Sequence, residues 1–194
     1  MKKVTTILAV IFAVAISASS FAQATDSKTI TITAELNTTM ALTLNTAGIE
    51  FEFSTLDDYN NGLGGFEGTY ASAGSVSSTA NWNLGFVANS AFTHTDGSTT
   101  MPLDNLGVTV DWNGDNAIAN NAASAPKALE DEQSILIGHD GSNSNAGGDD
   151  VNGFTIYWEM GTQNGDMNSE SLFEQDLKKG LYTVPVEFIL TEVL

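Results

Sequence analysis

The 194-residue chain has no cysteine and no arginine, only three prolines, and six lysines against 24 Asp and Glu residues. Each shortage excludes a chemistry. Without cysteine there is no disulfide, no thiolate nucleophile, no Cys-ligated zinc and no lipid-bearing thiol. Without arginine, no bidentate guanidinium can clamp a phosphate or carboxylate. Nucleic-acid binding needs clustered cations, and Lys2, Lys3, Lys28, Lys127, Lys178 and Lys179 are the whole supply against a formal charge of −18. Long hydrophobic runs are scarce too. The apolar stretch at residues 7–16 is about half of the ~20 residues that span a bilayer as a helix.

That stretch follows Met1-Lys2-Lys3 and precedes the small residues Ser17-Ala18-Ser19-Ser20-Phe21-Ala22-Gln23-Ala24. The order cationic, apolar, small is that of a secretory signal peptide over residues 1–22, cleaved near residues 22–24. A single domain over residues 23–194 is then expected, secreted or held at the cell surface or periplasm, with no transmembrane segment in the mature chain. Losing Lys2 and Lys3 leaves four lysines against 24 carboxylates, a formal charge of −20.

Beyond the leader the apolar residues recur in twos. Ile30, Ile32, Ala34 and Leu36 alternate with polar neighbours, as do Met40, Leu42 and Leu44, then Ile49, Phe51 and Phe53. Trp82 to Ala88, Leu106 to Trp112, Phe154 to Trp158 and Tyr182 to Leu190 repeat the pattern, and residues 134–138 form a shorter apolar run. This period belongs to half-buried strands, and Gly/Asn/Asp/Ser clusters punctuate them. The fold class expected is all-β, an Ig-like antiparallel β-sandwich. One short C-terminal helix should precede the last strand, because Ser171 and Glu174 have capping-box spacing and Lys178-Lys179 precede Gly180. Pro185 in the last strand places that strand at an edge or gives it a bulge. The polar stretches 113–125 and 138–153 should be surface loops, mobile or held by an ion.

The search for chemistry is mostly negative. His94 and His139 sit in polar surroundings, with no Gly-x-Ser-x-Gly elbow for a triad. Glu50 and Glu52 alternate on one strand, which is a solvated face rather than a glycosidase pair. Calcium is the better candidate. Asp111-x-Asn113-x-Asp115 offers oxygens at alternate positions, like the first half of an EF-hand loop, although the twelfth position is Ala122. Asp140, Asp149 and Asp150 are a second possible oxygen cage. Trp112 and Trp158, at strand ends beside acidic residues, are the candidates for a sugar-stacking surface.

The segment Gly74-Ser75-Val76-Ser77-Ser78-Thr79-Ala80-Asn81-Trp82-Asn83-Leu84-Gly85-Phe86-Val87-Ala88 resembles the first signature of WxL-type surface domains. Phe92, Gly97 and Met101-Pro102-Leu103-Asp104-Asn105-Leu106-Gly107-Val108 are similar to the strand entry that follows it. Gly180-Leu181-Tyr182-Thr183-Val184-Pro185 is similar to the closing strand, with Glu187-Phe188-Ile189-Leu190 where that family carries a second Trp-x-Leu. The same outline resembles spore-coat-U-like and fimbrial-type secreted domains. The resemblance implies an exported sandwich, with peptidoglycan attachment in the WxL case.

Together these features predict a non-catalytic structural or adhesion protein, a filament subunit meeting other copies of itself or envelope components. The alternative is a carbohydrate-binding module whose loops are ordered by calcium.

Overall fold

The structure, a computed structural model, describes residue 28 and residues 30–194. The expected signal peptide and its cleavage site lie outside these residues. Asn37–Leu194 is one compact unit. The strand expected over residues 29–36 does not form at the residues described: 30–36 have no ladder, and Ile30, Ile32 and Leu36 are 84%, 89% and 94% exposed. Alternation makes a segment competent to be a strand, but only a neighbour can satisfy its amides and carbonyls.

The compact unit is all-β and antiparallel, with almost no helix. One sheet runs β1 (Met40–Leu44), β3 (Ala71–Ser78), β11 (Gly153–Met160), β7 (Leu106–Trp112), β9 (Lys127–Ala128). A short β2 (Leu63–Gly64) pairs with the end of β11 that β3 leaves bare. The second sheet runs β13 (Val186–Glu192), β4 (Trp82–Ala88), β10 (Ser134–Gly138), β8 (Ala119–Asn120). A third, smaller one runs β12 (Tyr182–Thr183), β5 (Phe92–His94), β6 (Thr100–Met101).

The third sheet continues the second past a break. The Asn89 N–H donates to the Pro185 carbonyl at 3.0 Å, between the β4–β13 and β5–β12 ladders. Proline cannot return that bond, so the last strand divides at Val184-Pro185, and β13 lies at a sheet edge.

The core lies where the two larger sheets face each other. Val76, Val108, Val110, Phe154 and Ile156 come from one, and Trp82, Leu84, Phe86, Leu136 and Ile137 from the other, all at most 2% exposed. Burying each such side chain contributes about 1.5–3 kcal/mol. Strand β3 is nearly free of large residues, and that is its use. A Cβ on Gly74 would come within 2.6 Å of the Phe154 ring and 2.8 Å of Leu44, so the missing side chain is the space they fill.

The expected C-terminal helix is a single turn. The capping box forms, with Ser171 N–H and Oγ–H donating to Glu174 at 3.1 and 3.0 Å. The helix does not propagate: the Leu177 N–H donates to the Gln175 carbonyl at 2.7 Å in place of the Phe173 carbonyl, while the Gln175 side chain makes paired amide bonds with Asn105, each 2.8 Å. Among the described residues the one α-helix, α1 (Leu56–Asn61), starts at Thr55 with its own capping box to Asp58.

Candidate functional site

The residues expected to bind calcium do not converge. Among the described residues no three His, Asp or Glu side chains gather as a metal site. Asp111 Oδ2 accepts from Asn113 Nδ2 at 3.1 Å, and Asn113 Oδ1 accepts from the Thr155 hydroxyl at 3.1 Å. Asp115, Asp149 and Asp150 are exposed. Asp140 is occupied by its own loop, accepting from the Ser142 and Asn143 amides and from Asn143 Nδ2, all at 2.8 Å. Those bonds, the Asn143 amide foremost, lower its carboxyl to about 2. The spacing that suggested oxygen ligands is the spacing of turn-capping side chains.

The two polar loops are nevertheless tied together, by asparagines. Asn145 is fully buried. Its Oδ1 accepts the Trp82 N–H at 3.0 Å, its Nδ2 donates to the Trp82 carbonyl at 2.9 Å, and its own carbonyl accepts the Trp82 indole N–H at 2.8 Å. One side chain thus replaces a neighbouring strand. Asn116 Nδ2 donates to Asn152 Oδ1 at 2.9 Å and to the Ala146 carbonyl at 3.1 Å, and Asp115 N–H reaches the Val151 carbonyl at 3.0 Å.

The two tryptophans expected at a sugar-stacking surface turn toward the core. Trp158 is 7% exposed and donates its indole N–H to Ser72 at 3.1 Å. Trp112 is half-buried against Trp82, donates to the Asn116 carbonyl, and has Gly114 tight against its ring. Each falls in phase with the core-facing residues of its strand. His94 is also structural: its Nδ1 accepts the Asp96 N–H at 3.1 Å, which leaves Nε2 to donate to the Lys179 carbonyl at 3.2 Å. Asp96 itself is held far below the usual carboxylate range, by Lys178 first and then by the Thr99 and Ser98 amides.

What remains is an apolar trough beside the β12–β13 edge. Residues in 46–53, which join no ladder, line it, with Ile49, Phe51 and Phe53 half-buried and Glu50 and Glu52 exposed. Phe51 packs on Tyr70 at 4.4 Å, and Phe53 on Tyr59 at 5.5 Å. No hydrogen bond joins residues 46–53 to any other described residue. Two pockets, about 460 and 550 Å³, lie along this strap and share Ile49, Phe51, Phe92, Met160, Tyr182 and Thr183. The first also reaches Val184, Pro185, Val186 and Phe188, so the trough adjoins the outer margin of β13. Sequence periodicity marked 49–53 as a strand and 182–190 as an edge; the trough between them had no sequence signal.

No protein-family model matches the chain, and no curated protein matches it either. The resemblance at the Trp82 strand therefore rests on those residues alone. Among the described residues no helix is long and apolar enough to cross a membrane.

Proposed function

We propose that this chain is an exported, non-catalytic structural subunit of the cell surface or extracellular space, built on an Ig-like sandwich and assembling by strand addition. Residues 30–36 of one copy are the donor, and the trough with the β13 edge of another is the acceptor. One observation carries the reading. Ile30, Ile32 and Leu36 fall at even positions of a segment that has no ladder, at 84–94% exposure, which water disfavours unless something covers them. The trough supplies apolar walls, and the β13 edge supplies unpaired backbone groups. Cleavage near residues 22–24 frees this donor at the start of the mature chain.

Charge sets the conditions. Subunits near −20 repel one another, so association strengthens as salt or calcium screens them. Light scattering and electron microscopy of the purified protein across concentration and salt test the proposal. Concentration-dependent oligomers or filaments are expected, abolished by Ile30→Asp with Ile32→Asp. Strictly monomeric wild type under all those conditions, or equal assembly by the double variant, would sink it.

A further inference from the structure

Away from the trough, a carboxylate is buried where no positive charge meets it. Glu159 is 2% exposed, the one buried Asp or Glu among the described residues. It does not face the core. Phe154, Ile156 and Trp158 point between the sheets, and Glu159 shares the opposite face of β11 with Thr155 and Tyr157. Loops folded over that face bury it. The described lysine ion pairs are made with other carboxylates: Lys127, at the margin of the same loops, bonds Asp166 at 2.6 Å, and Lys178 bonds Asp96 at 2.7 Å.

Its two oxygens are unequally served. Oε2 accepts the Thr162 hydroxyl and Asn164 Nδ2, the latter at 3.0 Å. Oε1 has only the Thr109 hydroxyl at 3.5 Å, the outer limit of a hydrogen bond. Neutral donors recover only part of the solvation that an ionised carboxylate loses on burial. Glu159 and Thr109 line a pocket of about 390 Å³ together with Asn164, Ser124, Ala123 and Phe66. Asn164 Oδ1 accepts no bond from a described residue. Phe66 is 53% exposed and meets Tyr157 edge-on at 5.2 Å.

We infer that this pocket binds a primary ammonium group on an alkyl stem, with the nitrogen at Glu159 Oε1 and the methylenes along Phe66 and Ala123. The charge and the donors agree. An ammonium carries three N–H donors and one positive charge, and the pocket offers one carboxylate oxygen with spare capacity, an amide oxygen and a hydroxyl oxygen. Anions are repelled by the same carboxylate. A calcium ion would need six to eight oxygens, and no second carboxylate is gathered here. A neutral sugar would leave the buried charge uncompensated. A free alkylamine and a lysine side chain of a partner peptide supply the same chemistry, and the binding assay separates them.

The purified protein is titrated with n-butylammonium chloride and, separately, with a neutral peptide containing one internal lysine. The Asn164 side-chain amide and the Thr109 methyl are followed by NMR. Saturable shifts at both groups with at least one probe are expected, and the tighter of the two identifies the source. Glu159→Gln should weaken binding at least tenfold, and Ala125→Trp, which narrows the pocket from its exposed rim, should weaken it several-fold. If Glu159→Gln does not fold, Ala125→Trp decides alone. No saturation with either probe, shifts unchanged in the variants, or calcium or methyl glycosides saturating the same groups in their place would overturn the assignment.

Discussion

The polar loops at 113–125 and 138–153 and the apolar segments at 30–36 and 46–53 behave opposite to their composition. The first pair, rich in Asn, Gly and Asp, is fixed by Asn145, Asn116 and Asn152, two of them fully buried. The second pair, with strand-like alternation, has no ladder. Apolar pattern tells a segment which face to bury. Whether the segment is held depends on where its backbone hydrogen bonds go, and asparagine, with a donor and an acceptor on one short side chain, can stand in for a strand.

That contrast can be broken at Asn145. Replacing it by Ala strands the buried Trp82 N–H and carbonyl, and we expect a loss of about 3 kcal/mol, lowering the melting temperature by about 10 °C. An unchanged melting curve would mean that the loop is held by something other than this side chain. Phe51→Ala on the strap should cost less, about 1–2 kcal/mol, since the ring is only half-buried. In hydrogen exchange the amides of residues 46–53 should be among the least protected of the compact unit, and the Trp82 amide among the most. Comparable protection at both would remove the distinction.

The smallest effect is in acid. Asp140 has a folded value lowered to about 2 from an ordinary 3.8, so its contribution is present above about pH 4 and is lost as pH falls through 2. The amides of Ser142 and Asn143 should therefore shift between pH 4 and 2 in NMR, and Asp140→Asn should abolish that step. Residual titration of those two amides in the variant would assign the shift to another group.

Much of the sheet framework was legible in the sequence, and the exceptions have physical causes. Strands β1, β4, β7 and β11 follow alternation of hydropathy, and β10 follows a short apolar run. β3 escaped it because its buried positions include Ser72 and Ser78, and Gly74 leaves the space that Phe154 and Leu44 fill. The capping box at Ser171 was real, yet the backbone leaves the helix at Leu177, whose N–H donates to the Gln175 carbonyl, whereas the Thr55–Asp58 box does start a helix. The candidate sites were less legible. Glu159 reads as an outward strand residue, which it is. Its burial comes from loops that fold over the outer face, a property of tertiary packing that a period of two does not carry. The Asp111 and Asp140 patterns looked like ligands because turns and calcium loops use the same oxygens at the same spacing.

The break at Val184-Pro185 also measures something. It leaves seven residues of uninterrupted outer margin on β13 before the chain bends into the two residues of β12. At ~3.3 Å per residue that margin is about 23 Å long, the reach of a seven-residue strand such as residues 30–36. A longer added strand would have to bend with it. In the proposed assembly the proline would act as a ruler: it would limit each junction to one strand's worth of pairing and guard the edge against run-on cross-β stacking, so that a polymer of such units would grow by counted joints rather than by open-ended sheet.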